Sequence, residues 1–215
     1  RLLCGLLSGI PGAFSVIMGD ESLSRRPMSR VVDPLRNLGA RIDGREGGRL
    51  LPLSVRGTRL TGGTCTLTVA SAQGKTALMI AGLCSQGSVT VIEPMATRDH
   101  TEIALREFGG VLRNEGNWIE VNPQPKLQGR HLVVPADLSG AAFFLVAAAL
   151  VPNAELTLPG VGLNRRRREL LDYLIRAGLN LSIENETGIA GEPRGDLKAH
   201  YSPDLLQRQL PPIHG

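Results

Sequence analysis

Three copies of one segment plan, spaced by about 70 residues, constrain this chain more than any other feature of its sequence. Each copy runs through a small-residue apolar helix, a Gly-led strand, a charged loop, an amphipathic helix and a closing strand. The second helices end alike, as Pro34-Leu35-Arg36-Asn37-Leu38-Gly39-Ala40, Ala104-Leu105-Arg106-Glu107-Phe108-Gly109-Gly110 and Tyr173-Leu174-Ile175-Arg176-Ala177-Gly178-Leu179. Gly39, Gly109 and Gly178 fit the left-handed residue that stops a helix, and their spacing is too long for a thin solenoid. The first helices, at Leu2–Leu7, Ala77–Leu83 and Ala141–Leu150, are apolar on nearly every side, so burial all round is expected. Val89-Thr90-Val91-Ile92, Leu156-Thr157-Leu158 and Leu51-Pro52-Leu53-Ser54-Val55 alternate as strands with one face covered. Gly62-Gly63 and Pro123-Gln124-Pro125 mark turns, and Ile189–Lys198 reads as a Gly/Pro/charge-rich surface loop. The fold class is therefore α+β, repeated units with buried helices and outer sheets.

A chain of 215 residues with 42% hydrophobic content can bury one sizeable core or two small ones. Aromatics supply only 3%, with Trp118 the sole tryptophan, so the stacking platforms that nucleic-acid binding uses are not expected. The formal charge of +4 and pI near 9.3 suit small anionic partners, although surplus surface arginine accounts for the same balance. Cys4, Cys65 and Cys84 are odd in number, widely spaced and without clustered His, which indicates neither a disulfide framework nor a metal site. A reducing, cytoplasmic home is expected. The longest apolar stretch, Ala141 to Val151, falls far short of the ~20 residues that span a bilayer. Arg1–Leu7 has the look of a signal-peptide core, but it lacks an initiator Met and runs into Gly-Ile-Pro-Gly, so it reads as a core helix entered midway.

Chemistry concentrates in the loops that precede helices. Arg25 and Arg26 stand directly before Pro27, which suits the first turn of a helix running to Leu38. A guanidinium at a helix start opposes the dipole unless a bound anion is shared with the free N–H groups; a solvated charged loop is the competing account. Ser71-Ala72-Gln73-Gly74-Lys75-Thr76 places two hydroxyls, an amide and an ammonium at the mouth of a buried helix, a good phosphate cradle, though a plain Ser N-cap explains Ser71 as well. Gly74-Lys75-Thr76 imitates the end of a P-loop, but Val69 occupies the position of its first glycine, so that reading is rejected. Thr97 or Asp99 can cap the helix that follows Glu93–Glu102, and Arg98 matches Arg26 by position in the repeat. His100 fits a capping or titrating role. Asn164-Arg165-Arg166-Arg167-Arg168 is the same loop in the third copy, its extra arginines expected to be solvated.

Four blocks resemble EPSP synthases, the enolpyruvyl transferases of the shikimate pathway. They are Gly-Asp-x-Ser-Leu-x-x-Arg-Pro-Met-x-Arg-Val at 19–31, Ser-Ala-Gln-x-Lys at 71–75, Glu-Pro-Met-x-Thr-Arg-Asp-His-Thr-Glu at 93–102 and Asp-x-Ser-x-Ala-Ala-Phe at 137–143. The resemblance implies enolpyruvyl transfer from phosphoenolpyruvate to the 5-hydroxyl of shikimate 3-phosphate, with release of phosphate and with no metal or organic cofactor. It implies an inside-out α/β barrel of βαβαββ copies in two domains. Residues 1–134 would be part of the shikimate-phosphate domain, and 135–215 the incomplete start of the second, with a hinge near Val134. Arg26 would bind phosphoenolpyruvate. Ser71, Ala72 through its backbone, Gln73, Thr97 and Arg98 would surround shikimate 3-phosphate, with Lys75 a further candidate. The family's Lys-Ser and Gly-Asn-Ser/Ala-Gly-Thr loops would precede Arg1, and its Ile-Asp-Glu segment with the general base would follow Gln209–Gly215. The chain is thus expected to be truncated at both ends and not to turn over alone. Ser139-Gly140 and Asn164-Arg165 depart from the family's Ser-Ser and Asn-Pro. The full-length form would be a monomer, while the shorter chain is expected to self-associate if Ala141–Leu150 lies uncovered. A non-catalytic binding module of this fold and the related UDP-N-acetylglucosamine enolpyruvyl transferase are the alternatives.

Overall fold

The computed structural model describes residues 1–123, 125–188 and 191–205; Gln124 of the expected Pro-Gln-Pro turn, Ile189 of the expected loop and the Gln209–Gly215 end lie outside them. The chain divides into two compact units, Arg1–Gly129 and Arg130–Gly215. The first runs α1 (Leu2–Ser8), β1 (Phe14–Ile17), α2 (Glu21–Ser24), α3 (Ser29–Asn37), β2 (Arg41–Gly44), one-turn α4 (Arg45–Gly48), β3 (Leu50–Arg56), β4 (Gly63–Thr66), α5 (Ala72–Leu83), β5 (Val89–Ile92), α6 (His100–Glu107), β6 (Leu112–Glu115) and β7 (Trp118–Val121). The second runs α7 (Leu138–Leu150), β8 (Glu155–Gly162), a 3-10 turn at Arg165–Arg167, α8 (Glu169–Arg176), β9 (Asn180–Thr187) and β10 (Arg194–His200).

The repeat is exact at the level of strand order. The sheets read β1-β3-β2, β5-β7-β6 and β8-β10-β9, so the last strand of each copy lies between the other two. In the middle copy β4 adds a parallel edge beside β5, giving the α+β unit βαβαββ. The closing segment of each copy is a pair of antiparallel strands where the sequence pattern counted one. Between β6 and β7 the whole connection is Gly116-Asn117, and Gly116 takes φ 58°, the left-handed conformation that a two-residue hairpin turn demands. Gly39, Gly109 and Gly178 follow α3, α6 and α8 at φ 92°, 85° and 107°, as the helix-stop pattern predicts.

Three expectations need correction. Arg194–Lys198 is not loop but most of β10, the central strand of its sheet. Its buried positions are Gly195, Leu197 and Ala199, so period two is present but carried by small residues among charges. Pro27 does not enter the first turn of α3, which starts at Ser29 after the N-cap Met28. The first helices are not all buried on every side. Helix α5 comes nearest, because α1, α3, β5 and β7 all pack against it and beyond its first turn only a stripe through Thr76, Ile80 and Leu83 is half-buried, but α1 exposes Leu2, Leu3 and Leu6, and α7 exposes Phe143, Phe144 and Leu150.

The core of the first unit joins Val31, Val32 and Leu35 of α3 to Leu78 and Met79 of α5 and to Leu53, Val91 and Val121 of the sheets. Helices α1 and α5 cross backbone to backbone, since a Cβ on Gly5 would come 2.0 Å from the Ala77 carbonyl oxygen. This close crossing places the N-terminal ends of α1 and α5 together. In the second unit Leu145, Leu171 and Leu197 centre a separate core. The three cysteines are free, and burial pushes the Cys65 thiol up to about 11. Among the described residues no helix is long and apolar enough to cross a membrane, and no cluster of His, Cys, Asp and Glu could hold a metal ion.

Candidate functional site

Helix α5 is where a site can be built. Ser71, in extended conformation, is its N-cap, and the hydroxyl accepts a hydrogen bond from the Gly74 N–H at 3.2 Å. Used as an acceptor, that hydroxyl keeps its own proton to donate. The N–H groups of Ala72 and Gln73 have no helical acceptor, and twelve aligned peptide units place roughly half a positive charge at this end. The plain capping role and the cradle role of Ser71 are therefore the same geometry. A Cβ on Gly74 would come 3.2 Å from the Arg30 carbonyl oxygen, so the starts of α3 and α5 approach closely there.

Arginines converge on this helix start. The Arg1 guanidinium donates to Gln73 Oε1 at 2.6 Å and to the Pro27 carbonyl at 3.1 Å, tying the mouth of α5 to the loop that carries Arg26. Desolvation, then repulsion from Arg30 and from Arg26, holds the Arg1 guanidinium below the usual arginine range, which puts three cations within mutual electrostatic reach. Arg26 is exposed and, among the described residues, reaches only the Ser22 hydroxyl, at 3.2 Å. The acceptors of these three hydrogen bonds are all neutral oxygens. A cleft of about 290 Å³ beside Pro27 and Arg30, between α3 and residues 66–69, adjoins the cluster but contains none of the expected substrate residues.

Lys75 is placed otherwise than expected. Its side chain is fully buried, with Nζ 3.1 Å from Glu93 Oε2 and 2.7 Å from Glu102 Oε1, both carboxylates being buried too. It points into the core rather than to a ligand, because position 75 lies one turn inside α5, on the side facing β5 and α6. Thr97 Oγ1 donates to the other oxygen of Glu93; Asp99 holds the N-cap position of α6 without a side-chain capping bond, and His100 is exposed at the first helical residue. Arg98 is exposed, with no ion pair among the described residues. The structure thus gathers Ser71, Ala72, Gln73, Arg1, Arg26 and Arg30 at one end of the first unit, and links Thr97 and its neighbour Arg98 to that helix through Lys75 and Glu93.

Sequence reasoning missed Arg1, Arg30, Glu93 and Glu102 as contributors. Arg30 and both glutamates stand inside recognised blocks, and a lone Lys in a helix as apolar as α5 signals a buried ion pair. In the third copy the expected solvated arginines are partly employed: Asn164 caps the Arg166 N–H at 2.9 Å, Arg168 pairs with Asp172 at 2.9 Å, and Arg167 bonds Ser139 and lies 3.5 Å from Asp137.

A family model described as EPSP synthase (3-phosphoshikimate 1-carboxyvinyltransferase) matches residues 1–203. This chain belongs to the EPSP synthase family. It is 50% identical over 208 residues to a 3-phosphoshikimate 1-carboxyvinyltransferase of Synechococcus sp., covering 94% of this chain and 48% of that protein. The enzyme of the same name from Shouchella clausii is 49% identical over 215 residues, covering 99% of this chain and 50% of the relative. EPSP synthase from Acinetobacter baumannii superposes with a TM-score of 0.83 at 42% identity, over 94% of this chain and 46% of that one. The chain therefore spans about half the length of the EPSP synthases it matches.

Proposed function

We propose that this chain supplies the shikimate 3-phosphate-binding part of an enzyme that transfers the enolpyruvyl group of phosphoenolpyruvate to the 5-hydroxyl of shikimate 3-phosphate. The observation that carries the reading is the Arg1 bridge from Gln73 to the Pro27 carbonyl, which brings the Arg26 loop to the capped start of α5. Ser71, the Ala72 N–H, Gln73, Thr97 and Arg98 hold shikimate 3-phosphate, while Arg26 faces phosphoenolpyruvate and Gln73 lies between the two. Lys75 is left out of this set, being fully buried. Guanidinium groups and backbone N–H donors fixed before substrate arrives suit two multiply anionic reactants and the charge that develops as the enolpyruvyl carbon is attacked. No step in this reading calls on a metal or organic cofactor.

Titration calorimetry tests the reading. The chain should bind shikimate 3-phosphate, and Arg98→Ala should weaken it about tenfold to a hundredfold, the loss expected when a hydrogen bond to a charged group worth about 1.5–3 kcal/mol is removed. UDP-N-acetylglucosamine should not compete. Binding of that nucleotide sugar with indifference to shikimate 3-phosphate would overturn the assignment.

A further inference from the structure

The buried Lys75, Glu93 and Glu102 trio calls for a role beyond holding the core together. Two carboxylates share one ammonium, each side chain is at most 2% exposed, and Glu102 Oε2 has no hydrogen-bond partner among the described residues. Apolar side chains of similar volume stabilise a core at least as well as a buried ion cluster, so stability alone is a poor account of three buried charges. What an apolar trio lacks is direction, and direction is what Glu93 has. Its backbone N–H donates to the Asn117 carbonyl at 2.8 Å, and its own carbonyl accepts from Asn117 Nδ2 at 2.7 Å. With the backbone pinned to the β6–β7 turn, one carboxylate oxygen takes the Lys75 ammonium of α5 and the other takes the Thr97 hydroxyl. Glu102, from α6, meets Lys75 on the remaining side, and Thr76 and Thr101 join their hydroxyls at 2.6 Å beside it.

We infer that Lys75 and Glu93 are positioning residues, a buried relay that fixes the Thr97–Arg98 segment relative to the Ser71–Gln73 start of α5 so that both address one ligand. The inference rests on the shikimate 3-phosphate reading above. The relay also sets the chemistry of Thr97. A hydroxyl that gives its proton to a carboxylate offers only lone pairs to a ligand. Thr97 therefore suits a ligand hydroxyl, which leaves the phosphate to Arg98, Ser71 and the N–H groups of α5.

Two substitutions at one position separate direction from bulk. Glu93→Gln and Glu93→Met both leave Lys75 balanced by Glu102. In Glu93→Gln the ammonium, having only donors, holds the amide oxygen, and the amide nitrogen then meets Thr97, so the bridge survives with its sense reversed. Glu93→Met fills similar space with no bridge. Shikimate 3-phosphate affinity is expected to fall at least tenfold in Glu93→Met and less than threefold in Glu93→Gln, with both variants cooperatively folded. Nitrogen-15 relaxation without ligand should show Ala96–Arg98 losing order in Glu93→Met alone. Should Glu93→Met fail to fold, the triple Lys75→Met, Glu93→Met, Glu102→Met variant removes every buried charge and takes its place in both measurements. Equal affinity and loop order in the parent and the unbridged variant would overturn the relay, as would equal losses in Glu93→Gln and Glu93→Met. A parent chain that does not bind, with loop order still lost in Glu93→Met and kept in Glu93→Gln, would uphold the relay and sink the substrate assignment.

Discussion

Helices α5 and α7 hold the same place in successive copies of the repeat, and each starts beside arginines, yet one is capped by Ser71 and the other by Asp137. At α7 the Asp137 carboxylate accepts the Ser139 N–H at 3.2 Å, while Arg167 lies 3.5 Å from the same oxygen and bonds the Ser139 hydroxyl. The helix dipole and the loop arginine are both answered within the chain. At α5 the cap is neutral, and among the described residues Arg1 is engaged only by the amide oxygen of Gln73 and a backbone carbonyl. Positive charge is concentrated there, and no carboxylate among the described residues pairs with Arg1, Arg26 or Arg30. On the proposed reading, the start of α5 can take an anion because the protein withholds its own carboxylate there, whereas at α7 Asp137 supplies one.

Moving the carboxylate is the strongest way to break this contrast. Ser71→Asp should keep α5 capped and the melting temperature undiminished, because Asp caps a helix as well as Ser does. It should also reduce shikimate 3-phosphate affinity by about a hundredfold or more, since like charges forced together cost several kcal/mol and each 1.4 kcal/mol is tenfold. Calorimetry beside a thermal melt checks both halves. Affinity within threefold of the parent would mean that the start of α5 is not where the phosphate sits.

The reciprocal change is smaller and falls on stability alone. Asp137→Ala deletes a cap and the partner of Arg167, and should cost the second unit about 1 kcal/mol in urea unfolding. Shikimate 3-phosphate affinity should stay unchanged. A matching loss of affinity would show that the two helix starts are coupled rather than alternative.

Much of this was legible in the sequence, and the reasons differ by element. Gly39, Gly109 and Gly178 revealed the repeat because a left-handed helix stop leaves few choices of residue. Ser71 could be placed at a helix start because caps are legible in sequence, while Gln73 and Arg26 stood out only by lying inside recognised family blocks, and the roles of all three rest on the proposal above. Lys75 was misplaced for a physical reason: spacing shows that a residue lies near a helix start, but not whether it points outward or into the core. Glu93 and Glu102 went unread because a buried charge is identified only by its partners, here 18 and 27 residues distant. β10 was mistaken for loop because Gly195 and Ala199 carry its inward face, too small to give an apolar alternation.

Acid sharpens the comparison with the least disturbance, because a serine cap has no charge to lose. The Ser139 N–H chiefly, and the nearby Arg167, hold the Asp137 carboxyl below its usual range. Its folded value is depressed, so its contribution to stability is present above the unfolded value near pH 4 and is lost as pH falls through the folded value. Two other carboxylates of the second unit are depressed as well, Glu155 by its bond to Lys198 and Asp196 by Asn185 and the Gly160 N–H. Acid should therefore weaken the second unit in the window below about pH 4. Amide spectra from pH 6 downward should show the Ser139 signal titrating with a midpoint below that of an ordinary aspartate. The Gly74 signal, whose acceptor is the Ser71 hydroxyl, should follow no such step. Asp137→Asn should abolish the Ser139 transition while keeping the helix capped, since Asn caps without ionising. If Gly74 and Ser139 moved together and Asp137→Asn changed neither, the acid response would belong to unfolding of the whole chain, and the difference between a charged and a neutral cap would not be what sets α7 apart from α5.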